Sequence, residues 1–243
     1  MLQQRYALIT GASKGIGKQT AHLFAKNGAN LLLVARDIDA LVSLRDELQE
    51  FSINVDIFSC DLTDENEIKS LFIKIKKVTK VIDIVVNNAG IIKSSMFSMT
   101  NSDTLKDMFQ TNLYAPYILT QYATRMMRKS PYASVIFISS MMATKGGIGH
   151  SAYASSKSAL DGMMKSLAKE LAPAIRVNAI APGVVQTDMI KTLSEDEKEE
   201  YTSKSLFKRL ATPNDIATVI LFLASDMSKY ITAELINVDG GIC

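Results

Sequence analysis

The chain has 243 residues, 27 basic and 25 acidic, for a net charge of +2. With charge this balanced and no long basic run, nothing points to nucleic acid as a partner. No apolar stretch reaches bilayer-spanning length, and no charged segment followed by an apolar core opens the chain, so a cytoplasmic protein without membrane contact is expected. Cys60 and Cys243 are too few for a disulfide framework, and Cys60 at the end of an apolar run reads as a small buried hydrophobe. His22 and His150 stand far apart with no paired Cys or carboxylate pattern, so no metal site is expected.

The apolar, β-prone stretch 5–10 predicts an inner strand. Gly11-Ala12-Ser13-Lys14-Gly15-Ile16-Gly17 follows at once, then a helical pattern over 15–27 with Ile16, Thr20, Leu23 and Phe24 on one face. Strand, glycine turn and helix form the context a dinucleotide motif needs. Gly11 permits the tight turn, while Gly15 and Gly17 let backbone amides approach a pyrophosphate at the positive helix end. Further strands are predicted over 30–35, 54–59, 82–86, 133–139, 175–180 and 234–238. Helices are predicted over 38–50, 64–77, 152–171 and 213–224, with two more inside 101–129 and a variable segment at about 187–211. Glu195 to Glu200 reads as a solvated helix face. This alternation predicts a single α/β domain over 1–243, a doubly wound and mainly parallel seven-stranded sheet with helices on both faces. Ligands in such a fold lie outside the carboxyl ends of the strands.

Polar residues gather at those ends. Asp61 follows the third predicted strand and reads either as an adenine acceptor or as the cap of the next helix. Asn87-Asn88-Ala89-Gly90 follows the fourth, with Asn88 and the small residues close to a ribose and Asn87 bracing neighbouring strands. Ser140 emerges from the strand Val135 to Ile138, thirteen residues before Tyr153. Tyr153 and Lys157 are four apart, on one helix face about a turn from each other. A neighbouring ammonium favours phenolate, so Lys157 is expected to lower the Tyr153 pKa from about 10 and ready it for acid–base work.

The order Thr10 to Gly17, Asp61, Asn87 to Gly90, Asn112, Ser140, Tyr153, Lys157, Pro182-Gly183 and Thr187 resembles the short-chain dehydrogenase/reductase family over nearly the whole chain. The resemblance implies a Rossmann fold and a nicotinamide cofactor. It implies a catalytic set of Asn112, Ser140, Tyr153 and Lys157, with Asn112 holding a water that relays protons to the lysine. It also implies cofactor contacts from Gly11, Ser13, Lys14, Gly15, Ile16, Gly17, Arg36, Asp61, Leu62, Asn88, Ala89, Gly90, Tyr153, Lys157, Pro182, Gly183, Val185 and Thr187. In this account Val185 and Thr187 grip the carboxamide of the nicotinamide. Arg36 after the second strand and Lys14 in the glycine turn are expected to converge on a 2′-phosphate, favouring NADP(H), with the neighbouring Asp37 as the residue that argues for NAD(H).

The segment Thr187 to Leu210 and the closing stretch Pro213 to Gly241 resemble the bacterial 3-oxoacyl-[acyl-carrier-protein] reductases, which implies reduction of a 3-oxoacyl thioester. A reductase or dehydrogenase of a free ketone, sugar or secondary alcohol is the alternative, and a non-catalytic NADP-binding scaffold a third. Met141, Met142, Ile148, Met189, Ile190 and Leu206 are candidates for an acyl channel, or for core or interface. Arg125, Arg128 and Lys129 read either as a basic patch for an acidic carrier or as a solvated helix end. Pro173 and Ala233 depart from the reductase pattern and weigh against carrier docking. Helices 113–129 and 152–171 carry more apolar residues than one buried stripe needs, and with the resemblance this implies a homotetramer.

Overall fold

The computed structural model describes residues 1–242; Cys243, to which the sequence gives no role, lies outside them. Seven strands form one sheet: β1 (Tyr6–Thr10), β2 (Asn30–Ala35), β3 (Val55–Ser59), β4 (Ile84–Asn87), β5 (Ser134–Ile138), β6 (Arg176–Pro182) and β7 (Leu235–Val238). Their order is β3-β2-β1-β4-β5-β6-β7, and every pairing is parallel. The chain reverses its direction of travel across the sheet between β1 and β4, so this is the switch point where ligands gather in doubly wound folds.

Strand periodicity explains how the sheet is covered. Ala7, Ile9, Leu31, Leu33, Ile84, Val86, Ile136 and Ile138 share one buried cluster; the alternate residues Leu8, Leu32, Val34, Val85, Val135 and Phe137 share another. On the first face lie α1 (Gly15–Lys26), α2 (Ile38–Glu47) and α9 (Pro213–Ala224), with Phe24, Leu41, Leu44, Ile216 and Ile220 in the cluster. On the second lie α3 (Glu65–Val78), α5 (Ala115–Met127) and α7 (Ser151–Leu171), through Ile68, Leu71, Leu119, Met126, Leu160 and Met164. Each fully buried Leu, Ile or Phe contributes about 1.5–3 kcal/mol of transfer free energy, so this two-sided burial drives the fold.

The remaining helices are α4 (Ser102–Phe109), the short α6 (Met142–Lys145) and α8 (Glu195–Lys204). The two helices expected within 101–129 are present, but no turn separates them: Gln110–Tyr114 is a π-helical stretch that joins α4 directly to α5. A π turn is the usual way a helix absorbs one extra residue, and Asn112 sits in it, buried. The charged run 195–200 lies within α8, which has no buried residue and is started by a reciprocal capping box between Ser194 and Glu197. β4 runs one residue further than expected because Asn87 pairs with Phe137, and β6 reaches Pro182 because Pro182 pairs with Val238. Among the described residues, no helix is long and apolar enough to cross a membrane.

The switch point is held by one hydroxyl and one amide. The Thr10 hydroxyl donates to the Val86 carbonyl at 3.3 Å and accepts from the Asn88 and Ala89 amides, both at 3.0 Å. The Asn88 side-chain amide donates back to the carbonyls of Thr10 (2.9 Å) and Gly11 (3.1 Å). Asn88, not Asn87, is therefore the brace between strands. The Asn87 amide instead donates to Thr120 of α5 at 3.0 Å, a helix rather than a strand. This crowding sets the glycine turn. A Cβ on Gly17 would stand 2.2 Å from the Gly11 carbonyl oxygen and 2.6 Å from Asn88 Nδ2. Gly17→Ala is expected to cost about 1–3 kcal/mol as the turn shifts to relieve the overlap, read as a lowered urea midpoint at unchanged slope.

Candidate active site

Tyr153 and Lys157 project from the first turns of α7 toward the carboxyl end of β5. The Tyr153 side chain is buried with Met108, Met141, Met142, Ala152 and Ile242, and its hydroxyl shares a hydrogen bond with Ser140. The Ser140 hydroxyl also accepts from the Met142 amide at 3.2 Å, which fixes the serine beside the phenol. Lys157 is buried, and its ammonium donates to the Ile138 carbonyl at 2.7 Å. A Cβ on Gly90 would lie 3.2 Å from Asn112 Oδ1 and 3.3 Å from Lys157 Nζ, so Gly90, Asn112 and Lys157 meet at one point. All four residues of the expected catalytic set come together at the ends of β4 and β5.

The electrostatics differ from the expectation. Burial pushes the Tyr153 phenol above its ordinary range, and the opposing pull comes from Ser140 rather than from Lys157. Burial pulls the lysine itself down to about 8, with Asp161 acting in the opposite sense. Asn112 is held through its side-chain amide. Its amide clamps Ile91 reciprocally, Nδ2 donating to the Ile91 carbonyl and Oδ1 accepting from the Ile91 N–H, both at 2.9 Å. Nδ2 also donates to Ser156 Oγ at 3.0 Å, and Ser156 in turn donates to the Tyr153 carbonyl at 2.7 Å. Ser156 is a link the sequence reading missed, although its place three residues after Tyr153 was a signal.

The glycine turn faces the same end of the sheet. Gly11 and Gly15 have φ of 62° and 55°, left-handed values that favour glycine. Helix α1 begins with no side-chain cap and no acidic residue in its first turn, so its positive end is not neutralised from within. Thr187 lies across this turn, its methyl 3.1 Å from where a Gly15 Cβ would stand. The loop after β6 is anchored there: Val185 bridges to Ala211, the Thr187 hydroxyl donates to the Val185 carbonyl at 3.3 Å, and Gly183 packs so tightly on Asp239 that a Cβ would come within 2.9 Å of its Cα. Ser13 stays within the turn, Ile16 in the first turn of α1 is half-buried against the first-face core, and Leu62 packs on the second-face core.

The charged residues sort differently from expectation. Asp37 is the N-cap of α2, accepting from the Ala40 amide at 3.0 Å. Arg36 is exposed and near enough to Asp61 to hold that carboxyl below its usual range, after the hydrogen bonds from Thr63. Lys14 stands 3.8 Å from Asp188, so the two cations face different carboxylates rather than one point. Asp61 does not cap α3; that place belongs to Asp64, while Asp61 closes a local turn on the Thr63 amide and hydroxyl at 2.9 and 2.8 Å. The acyl-channel candidates divide too: Met141 and Met142 are buried against Tyr153, whereas Ile148, Met189 and Leu206 are exposed. Among the described residues, no group of three or more His, Cys, Asp or Glu side chains converges as a metal set.

This geometry has relatives. A family model described as Enoyl-(Acyl carrier protein) reductase matches residues 11–243. The 3-oxoacyl-[acyl-carrier-protein] reductase FabG of Thermotoga maritima is 37% identical over 99% of this chain and 98% of the relative. The proteins of that name from Aquifex aeolicus and Escherichia coli are 34% and 35% identical, over 99% and 98% of this chain and 98% and 97% of their own. Among solved structures, a short-chain dehydrogenase/reductase from Brucella melitensis titled glucose/ribitol dehydrogenase superposes with a TM-score of 0.95 at 29% identity, covering 100% of this chain and 98% of that one. A short-chain type dehydrogenase/reductase from Mycobacterium marinum gives 0.94 at 31% identity, covering 99% and 96%. With the glycine turn, the serine–tyrosine pair and the buried lysine at one end of a parallel sheet, the chain belongs to the short-chain dehydrogenase/reductase family of oxidoreductases.

Proposed function

We propose that this protein reduces a 3-oxoacyl thioester, carried on acyl carrier protein or coenzyme A, to the 3-hydroxyacyl thioester with NADPH. The observation that carries the reading is the Ser140–Tyr153 hydrogen bond with Lys157 and Asn112 meeting one turn away at Gly90. Gly11, Ser13, Gly15, Ile16, Gly17, Leu62, Asn88, Ala89 and Gly90 would hold the dinucleotide. Its fit rests on the glycine turn, where Gly11 and Gly15 hold a left-handed backbone that a side chain would strain, and on the uncapped positive end of α1. When bound, the reduced nicotinamide supplies a hydride to the ketone carbon.

The chain's own residues do the rest. Ser140 and Tyr153 hold the ketone oxygen through two hydroxyl groups, where negative charge develops. Tyr153, kept protonated by its burial, gives its proton to that oxygen. With the cofactor bound, Lys157 would bind the nicotinamide ribose, and its ammonium would answer the charge of the phenolate that the transfer leaves. Asn112 fixes the π stretch against Ile91, aligning its backbone carbonyl to hold a relay water for Lys157. Pro182, Gly183, Val185 and Thr187 orient the carboxamide from the anchored loop.

For the cofactor, Arg36 and Lys14 are exposed cations at the rim, whereas Asp37 is committed to capping α2; this favours a 2′-phosphate over a 2′-hydroxyl, with Asp61 beside the adenine. Arg125, Arg128 and Lys129 lie exposed at the end of α5 for an acidic carrier. The outer faces of the π stretch, α5 and α7 leave Tyr114 and Tyr117 exposed and Ile118, Met163 and Leu167 half-exposed, a surface for assembly into a cytoplasmic homotetramer. The glucose/ribitol dehydrogenase among the solved relatives supports the alternative of a free sugar or alcohol as substrate.

NADPH oxidation with an acetoacetyl thioester, set against a panel of free ketones and sugars, separates these readings: turnover on the panel alone overturns the lipid assignment, and turnover on nothing supports a scaffold. Tyr153→Phe should retain cofactor binding and lose at least about 10²-fold in kcat, measured by stopped assay and by fluorescence titration of the cofactor. Calorimetry should give a Kd for NADPH at least about tenfold below that for NADH, and Arg36→Ala should close that gap. Light scattering should report a mass near four copies of the 26.6 kDa chain, and a monomer would remove the assembly.

A further inference from the structure

The segment after β7 turns back into the active site. Gly240 and Gly241 follow one another with φ of 67° and 68°, left-handed values that a side chain would strain. Ile242 comes next and is buried, 7% exposed, in the cluster that holds Tyr153. The segment is fastened at several points. The Gly183 amide donates to the Val238 carbonyl at 3.0 Å, and Asp239 pairs with Lys145 of α6 at 2.8 Å. The Leu206 amide donates to the Gly240 carbonyl at 2.9 Å. A Cβ on Gly240 would stand 2.7 Å from Ser205 Oγ, and one on Gly241 2.7 Å from Leu206 Cδ1, so the loop after α8 lies directly on the two glycines. The segment that carries Ile242 is thus pinned to α6 on one side and to the loop after α8 on the other.

The neighbours of Ile242 define a chemistry. Its buried partners in the cluster are Met108 of α4, Met141 and Met142 after β5, and Ala152 and Tyr153 of α7. Tyr201, half-buried, packs on the cluster from α8. The Met142 amide donates to the Ser140 hydroxyl at 3.2 Å, which ties this methionine to the serine. Around the Ser140 and Tyr153 hydroxyls, the methionine, alanine and isoleucine side chains offer hydrocarbon and thioether and no hydrogen-bond donor. A ketone oxygen fits the hydroxyl pair, and an alkyl group fits the apolar side chains. A sugar placed there would leave its hydroxyls without partners. The methionines are unbranched and yield to an entering chain, whereas Ile242 is β-branched and stiff. We propose that Ile242 is a specificity-determining residue: it forms the end wall of the pocket for the substrate's alkyl group and limits the chain length accepted. The inference rests on Tyr153 facing the ketone oxygen, as in the function proposed above, and it narrows the substrate class to ketones that bear an alkyl chain.

The test varies the size of the side chain at this position. kcat/KM is measured with the N-acetylcysteamine thioesters of acetoacetate and 3-oxooctanoate. Ile242→Ala should raise the octanoyl-to-acetoacetyl ratio by about tenfold or more, and Ile242→Phe should lower it by a similar factor. Opposite shifts separate a wall from a residue that only stabilises the fold, since lost packing would lower both substrates alike. A readout without turnover, and without a variant, uses wild-type protein labelled with ¹³C in the isoleucine δ1 methyl groups. The Ile242 methyl should shift as the octanoyl thioester is titrated in with NADP⁺ present, while that of exposed Ile73 on α3 stays in place. If the enzyme reduces alkyl ketones but no thioester, the thioester reading falls, and the same ratio is taken from 2-octanone and 2-butanone. A ratio unchanged in both variants, or an Ile242 methyl unmoved by thioester and 2-octanone alike, would overturn the proposal. Turnover confined to sugars would do the same.

Discussion

The parallel sheet opens at one place, between β1 and β4, and everything chemical in this protein depends on how that opening is held. Two strands that diverge leave backbone amides and carbonyls without ladder partners, a cost that must be met locally. Thr10 meets it with a single hydroxyl serving three backbone groups, and Asn88 with an amide donating to two carbonyls. Because these bonds draw the glycine turn and the β4 loop into contact, Gly17 has no room for a methyl group and Gly90 comes to rest against Asn112 and Lys157. The glycine turn and the cluster of Gly90, Asn112 and Lys157 are thus two sides of one set of hydrogen bonds.

Placing a lysine at that cluster carries its own constraint. A buried ammonium loses its hydration, and each donor must find an acceptor or the proton leaves. Here the Ile138 carbonyl, exposed because β5 ends beside it, takes one donor. The strand end that presents Ser140 to the phenol therefore also restrains the lysine. Tyr153 is raised by the same burial, so the site in this form stores its proton on the phenol rather than releasing it.

Much of this was legible in the sequence because strand alternation and motif spacing are local properties. The alternation of β1, β2, β4 and β5 between two cores follows from side-chain period alone, and the four-residue step from Tyr153 to Lys157 fixes their common face. What was not legible depends on partners distant in the chain. That Asn88 rather than Asn87 braces the strands turns on the register of β4 against β5, which carries Asn87 into the ladder opposite Phe137. Asp64 took the cap that Asp61 offered because the helix starts three residues later, and Asp37 took the cap of α2. The direction of the Tyr153 shift was misread because helical spacing reports neighbours on the helix but not the burial of the phenol, which outweighs them.

The π stretch Gln110–Tyr114 adds a last consequence. A regular helix advances every side chain by a fixed angle, so α4 and α5 could not both keep their present rotational settings if the join were plain α-helix. α4 contacts α7, whereas α5 packs against α3, and the extra residue lets each half face its own neighbour. Were these five residues plain α-helix instead, the second half would be turned away from its present neighbours. The irregularity of the join, more than the identity of most residues in it, is therefore what the packing of both halves depends on.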